Sequence, residues 1–251
     1  MAAHIAENDI TMKLADNIDS HKILSVSPVQ LLSMLTFAVQ NKHHEFVSGI
    51  TPSEDTIILD SFDYKQDFLT KISETLREKG YSQEDKIQNF AVLKYYLDKL
   101  FLEITEKGTL EYSYQKIYMV SSSHITAKLN ISRSTLHRYK ELGMENVQKQ
   151  EFGHKTYPIH NVFYWSNTLW ISQIQALYQS YKIRNQTNDD LIKEIKNEIR
   201  KFEIQYGGSF NVIFNDIISG KVDIYELDEP DDFKDWKSLL EDLQELESNR
   251  D

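Results

Sequence analysis

Apolar residues between Ile87 and Ile104 recur at intervals of three and four: Ile87, Phe90, Leu93, Leu97, Leu100, Phe101 and Ile104. A strand alternates its faces every second residue, so this spacing predicts one long helix with an apolar face turned to a core. Ser82 and Asp85 match a capping box at its start, and Lys107-Gly108 is expected to stop it. Two further stripes precede it. Ser27-Pro28 supplies an N-cap and a first-turn proline before Val29, Leu32, Leu35 and Val39, while Phe68, Leu69, Ile72 and Leu76 form a second stripe closed by Gly80. Three helices are thus expected in an N-terminal domain spanning 1–115. Eight glycines and four prolines in 251 residues leave few tight turns, which disfavours a sandwich of short strands.

Beyond residue 168 the pattern is helical again. Ile192, Ile195, Ile199, Phe202 and Tyr206 are spaced 3, 4, 3, 4, between a Thr187 cap and Gly207-Gly208. Such a stripe is either a core-facing helix or a seam for a homodimer. Phe210, Ile213, Phe214, Ile217 and Ile218 mark a short helix after Ser209. A last helix, 231–247, carries Phe233, Trp236, Leu239, Leu240, Leu243 and Leu246 on one stripe and carboxylates on the other. It is expected either to dock on the body or to bind a protein partner.

The net charge of −11 is unevenly spread. Residues 1–117 carry −6, 166–221 carry +1 and 222–251 carry −9. Residues 118–165 stand apart, with six basic residues against three acidic, net +3, and four of the eight histidines. Local field decides what a surface attracts, so this segment is the candidate for an anionic partner.

Its residues have an order of their own. A β-prone run, Ile117-Tyr118-Met119-Val120, leads into Ser121-Ser122-Ser123, three candidate caps, and then a short helix that can bury Ile125 and Leu129. Asn130-Ile131-Ser132 breaks the chain, and Ser132 caps a second helix, 133–142, that buries Leu136 and Tyr139. Arg133, Ser134, His137 and Arg138 are left on its other side, and Gly143 closes it.

This arrangement resembles the helix-turn-helix of the MerR and phage-excisionase type. Ile131 through Met144, ISRSTLHRYKELGM, resembles the family's turn, recognition helix and terminal glycine. Val147 through Tyr157 has the size of its wing, and Tyr157-Pro158 with Ile159-His160-Asn161-Val162 resembles the aromatic after the wing and the helix beneath it. The match covers about a fifth of the chain. It implies a winged helix-turn-helix, 116–167, that binds double-stranded DNA. The usual MerR order places that domain first, so the effector domain of those proteins does not carry over.

A helix in the major groove needs donors facing base edges, which Arg133, Ser134, His137 and Arg138 supply. Ser122, Ser123, Lys128 and Lys140 are placed for phosphates, Lys149, His154 and Lys155 flank the wing tip, and Ser132 and Tyr157 complete the expected DNA-binding set.

Other chemistries find less support. There is no cysteine, which removes disulfides and thiolate metal sites. His43-His44-Glu45 lacks a second pair at ligand spacing, and no GxxxxGK[ST], GxGxxG or GxSxG occurs. No catalytic constellation, metal or cofactor is expected. The densest apolar stretch, 31–39, is nine residues long, against the ~18 that span a bilayer. Glu7, Asp9 and Asp16 interrupt what would be the core of a signal peptide.

The expectation is therefore a mainly α cytoplasmic protein, associated with the nucleoid when bound to DNA and without membrane contact. It has a helical N-terminal domain, a central winged helix-turn-helix with a short β wing, and a helical, acidic C-terminal region over 168–251. Transcriptional regulation in a prokaryote or mobile element is the expected role. The alternatives are a replication, partition or excision accessory factor, and, in another class, a protein-protein adaptor using the acidic last helix.

Overall fold

The computed structural model describes residues 26–62, 66–147 and 155–248. It is mainly helical, with three small two-stranded sheets among the described residues. The chain divides into two compact units, Met1–Asn185 and Gln186–Asp251. The boundaries expected at 115/116 and 167/168 both fall inside the first.

In the first unit, α1 (Pro28–Lys42), α2 (Gln66–Arg77) and α3 (Gln83–Ile104) are the three expected helices. Capping boxes at Ser27 and Ser82 start α1 and α3, as the local sequence dictates. Sequence reading missed the strands between and after them. β1 (Val47–Pro52) pairs antiparallel with β4 (Leu110–Tyr114), and β2 (Ile57–Ile58) pairs with β3 (Thr105–Lys107). The expected stop of α3 at Lys107-Gly108 is late by a strand: the helix ends at Ile104, where Thr105 turns extended and its hydroxyl donates to Phe101 O. Gly108 then turns β3 into the loop before β4 with φ +104°, at a site where a Cβ would collide with Thr56.

Helix α3 joins two cores, which is why no domain boundary follows it. Phe90, Leu93, Leu97, Phe101 and Ile104 pack with Leu31, Leu35, Phe46 and Ile72. Ala91 and Tyr95 belong to a second cluster with Ile125, Leu136, Met144, Tyr157, Tyr164 and Trp165. That cluster is built by β5 (Met119–Ser121), α4 (Ser122–Leu129), α5 (Arg133–Glu141), β6 (Thr156–Pro158) and α6 (His160–Trp165). Helix α7 (Thr168–Arg184) follows, and its Arg184 guanidinium donates to the carbonyls of Leu102, Thr105 and Gly108, satisfying backbone acceptors at the end of α3.

The second unit contains α8 (Asn188–Tyr206), α9 (Phe210–Ile213), α10 (Asn215–Ile218) and α11 (Pro230–Ser248). Lys196 pairs with Glu247 at 2.7 Å and Tyr206 donates to Asp232 at 2.7 Å, so α8 and α11 run antiparallel. The expected dimer seam is corrected here. Ile195 and Ile199 are buried with Phe210, Phe214, Phe233 and Trp236, and Phe202 stacks on Trp236 at 5.4 Å. Phe202 and Tyr206 pack on the same cluster and Ile192 is buried, so the stripe faces the chain's own core and offers no seam to a second copy. The apolar stripe of α11 is consumed in the same way, leaving its carboxylates outside.

Candidate nucleic-acid interface

The central segment folds as strand, helix, turn, helix, strand. Ser121 accepts the amide of His124 and caps α4, so Ser122 and Ser123 are first-turn residues, both exposed. Asn130 takes the left-handed conformation (φ 52°, ψ 48°) that ends α4, an arrangement asparagine tolerates better than most residues. Ile131 packs against the second core, and Ser132 caps α5 by accepting from Thr135 N at 3.1 Å. The Ser132 hydroxyl also meets Ser134 Oγ at 2.7 Å, so both hydroxyls are engaged within the cap.

Helix α5 is amphipathic as expected. Leu136 is buried and Tyr139 packs against Trp165 with ring centroids 4.4 Å apart, while Arg133, Ser134, His137 and Arg138 are exposed together on the other side. Lys128 is exposed on α4. Lys140 lies beside Lys155, and loss of hydration together with that neighbour's repulsion lowers its pKa. Two cations crowded at the foot of the second helix make a local positive field. The exposed face also holds a carboxylate that sequence reading overlooked: Glu141 Oε1 lies 3.1 Å from His137 Nδ1.

After α5, Val147 and Thr156 form a reciprocal bridge, and β6 pairs with β5 through Val120↔Tyr157. A two-stranded sheet, β5 with β6, and one bridging residue beside it thus stand at the two ends of the segment where a wing was expected. Lys149 and His154, expected at its tip, lie outside the described residues. Tyr157 is corrected: at 2% exposure it belongs to the second core, because its ring is taken up by the apolar cluster that holds Ile125, Leu136 and Trp165.

Sequence reading also missed a polar hub at the exit of α5. Gly143 (φ +106°) turns the chain, and two residues later the Glu145 carboxylate meets Tyr114 Oη at 2.7 Å, His160 Nε2 at 3.1 Å and Lys94 Nζ at 3.4 Å. Its backbone carbonyl accepts from Asn161 at 2.8 Å. Lys94 also pairs with Asp98 at 2.7 Å, and Asp98 accepts from Tyr112 at 2.6 Å. Burial would raise the Glu145 pKa, but Lys94, His160 and Tyr114 outweigh it and hold the carboxyl at about 2. Burial lowers His160 and raises Asp98. An ionised Glu145 can only accept, so Nε2 of His160 carries the proton and Nδ1 accepts from Tyr118 Oη at 3.0 Å. The signal available in the sequence was only a set of charged and aromatic residues far apart, each readable as a solvated side chain.

No group of His, Cys, Asp and Glu among the described residues is arranged to hold a metal ion. No helix among them is long and apolar enough to cross a membrane. Compared with known proteins, the chain matches no family model, no curated protein and no solved structure.

Proposed function

We propose that this chain is a sequence-specific double-stranded DNA-binding protein that acts by occupying its site, in a transcriptional regulatory role, and not by catalysis. The observation that carries this reading is the exposed quartet Arg133, Ser134, His137 and Arg138 on a helix whose opposite face is pinned by Leu136 and Tyr139. A rigid helix with donors on its free face is what base-edge readout in the major groove requires. Lys128, Lys140 and Lys155 stand around it to meet phosphates. The turn geometry and the strand pairing before and after the two helices support a winged helix-turn-helix. In this reading the partner is duplex DNA, met in the cytoplasm.

The test is a titration of random-sequence duplex at several salt concentrations, followed by selection of bound sequences from a random pool. Affinity that falls steeply with salt and a recovered consensus support the proposal. Absence of binding even at low salt sinks it.

A second reading, a protein-protein adaptor, is favoured by the Gln186–Asp251 unit, whose 8 basic and 18 acidic residues give it a net charge of −10. Capture of a basic protein partner by this unit alone, with no DNA binding by the whole chain, would select it.

A further inference from the structure

An apolar cavity of about 320 Å³ opens beside the strand that feeds the two-helix element. Its floor is Phe46 and Tyr118, which stack at 4.6 Å, and its walls are Ile87, Ile117, Val120 and Ile159. Ile117 is 88% exposed at its mouth, a large apolar side chain left uncovered by the described residues. None of the seven lining residues is charged, in a chain where 27% of residues are, and among these described residues the polar side chains are those of Tyr118 and Gln83. The nearby charges of Glu45 and Lys86 neutralise each other at 2.8 Å.

The chemistry of this lining selects its occupant. A cavity without charge disfavours an ion, which would lose its hydration without a partner. A dry cavity of about 150 Å³ already holds a benzene ring, so this volume suits a neutral molecule of about two fused rings with one group that can hydrogen-bond to the Gln83 amide.

The cavity is also linked by contact to the helix that carries the arginine pair. Tyr118, its floor, meets His160 through the hydroxyl, and His160 meets Glu145 just past the end of α5. Val120, a wall, is followed by Ser121, the cap of α4. We infer that this cavity is an effector site for a small neutral apolar molecule, whose binding strengthens the grip on DNA by holding the floor, the hub and the exit of α5 in the arrangement seen here. The regulatory half of this inference rests on the DNA-binding reading above; the binding half does not. A ligand can shift affinity only by preferring one arrangement over another, and couplings of this kind commonly reach about fivefold or more.

Indole, two fused rings with a single N–H donor, is the probe. Titrated into the full chain without DNA, it should shift the methyl resonances of Ile87, Ile117, Val120 and Ile159 and leave those of Ile195 and Ile199 in place. Gln83→Ala, at the exposed rim, should weaken the shift, and the cavity-filling Val120→Trp should abolish it. No shift at millimolar indole, or the same shift in Val120→Trp, overturns the site. With random-sequence duplex present, saturating indole should raise affinity about fivefold, and Glu145→Gln, outside the cavity lining, should keep indole binding while losing most of that gain. His160→Gln, also outside the lining, takes its place should Glu145→Gln not fold. Indole binding with unchanged DNA affinity overturns the coupling, as does an equal gain in the folded variant. A chain that takes up indole and never binds DNA refutes the DNA-binding reading and the coupling, but leaves the cavity as a ligand site.

Discussion

Glu145 Oε2 lies 3.1 Å from Nε2 of a fully buried His160, and the pair ties the exit of α5 to α6. Both groups hold depressed pKa values, and both therefore make the protein less stable in acid. The unfolded histidine takes a proton near pH 6.5 while the folded one resists it, so stability declines as pH falls below about 6.5. Glu145, held at about 2, stabilises above the ordinary carboxylate pKa of about 4.3 and loses that contribution as pH falls toward 2. Asp98, with a raised pKa, works in the opposite sense.

Glu145→Gln should therefore cost stability at neutral pH and flatten the acid limb between about pH 4 and 2. Losing one member of a buried pair costs about 3–5 kcal/mol, and with 30% of the Glu145 side chain exposed the low end applies. Urea midpoints measured from pH 2 to 8 check this; parallel curves for the two proteins would show that the carboxylate is not held as described.

Gly143 should not tolerate a side chain. Its φ of +106° disfavours any L residue, and an added Cβ would sit 2.6 Å from Cβ of Tyr178 on α7. Gly143→Ala is expected to cost about 1–3 kcal/mol from backbone strain, and more from the collision. Tyr178→Gly in the same chain, which removes the Cβ that alanine would keep, should recover only the collision part relative to Tyr178→Gly alone. Full recovery in the double variant would mean that backbone conformation plays no part.

The DNA-binding reading makes separable claims about individual side chains. Arg133→Ala and Arg138→Ala should each cost about 1–3 kcal/mol against a selected site and far less against scrambled duplex. Lys155→Ala should weaken both alike and reduce the salt slope by about 1. Glu141→Gln removes the carboxylate paired with His137 and should strengthen binding to any duplex. Unchanged affinity in the folded Arg133/Arg138 double variant removes α5 from the interface.

Helices were legible because their signals are local. Ser27, Ser82, Ser132 and Thr187 each cap the helix they precede, and the spacing of Ile87 to Ile104 identifies the central beam. What escaped depends on residues brought together from far apart. Ser48 meets Ser113 across the β1–β4 pair, and Lys94 meets Glu145 across 51 positions, with nothing near either residue to announce its partner. The 3, 4, 3, 4 stripe of α8 was correctly read as apolar, but the pattern is the same whether a helix of the same chain or of another copy covers it. Tyr157 was misplaced because an aromatic beside a basic wing reads as a contact until the fold shows the apolar cluster that takes up its ring.

Since α8 is covered from within, Ile195→Asp plus Ile199→Asp should unfold the C-terminal unit without changing the number of subunits. Removing each buried isoleucine's packing costs roughly 2–5 kcal/mol, and a buried unpaired carboxylate adds to it. Loss of the Trp236 emission signature with an unaltered light-scattering mass is expected. Conversion of a dimer into folded monomers would restore the seam.

The acidic unit should restrain binding through charge alone. Residues 1–185 carry 20 basic and 21 acidic residues, close to neutral, whereas Gln186–Asp251 carries −10. A covalently attached polyanion repels phosphate wherever it is tethered, and the effect is felt within about 10 Å at 0.1 M salt and further at lower salt. Cutting at 230 would strip Phe233 and Trp236 from the second unit's own core and leave the rest of that unit unfolded. The clean truncation ends at Asn185, where the first unit ends and where Asn185 Oδ1 still accepts from the amide of Gly108. This shortened chain should bind random duplex more tightly than the full chain at low salt, with the difference closing as salt rises. A folded truncated protein that binds equally or more weakly at every salt concentration refutes the restraint, and leaves the acidic unit to a partner of opposite charge.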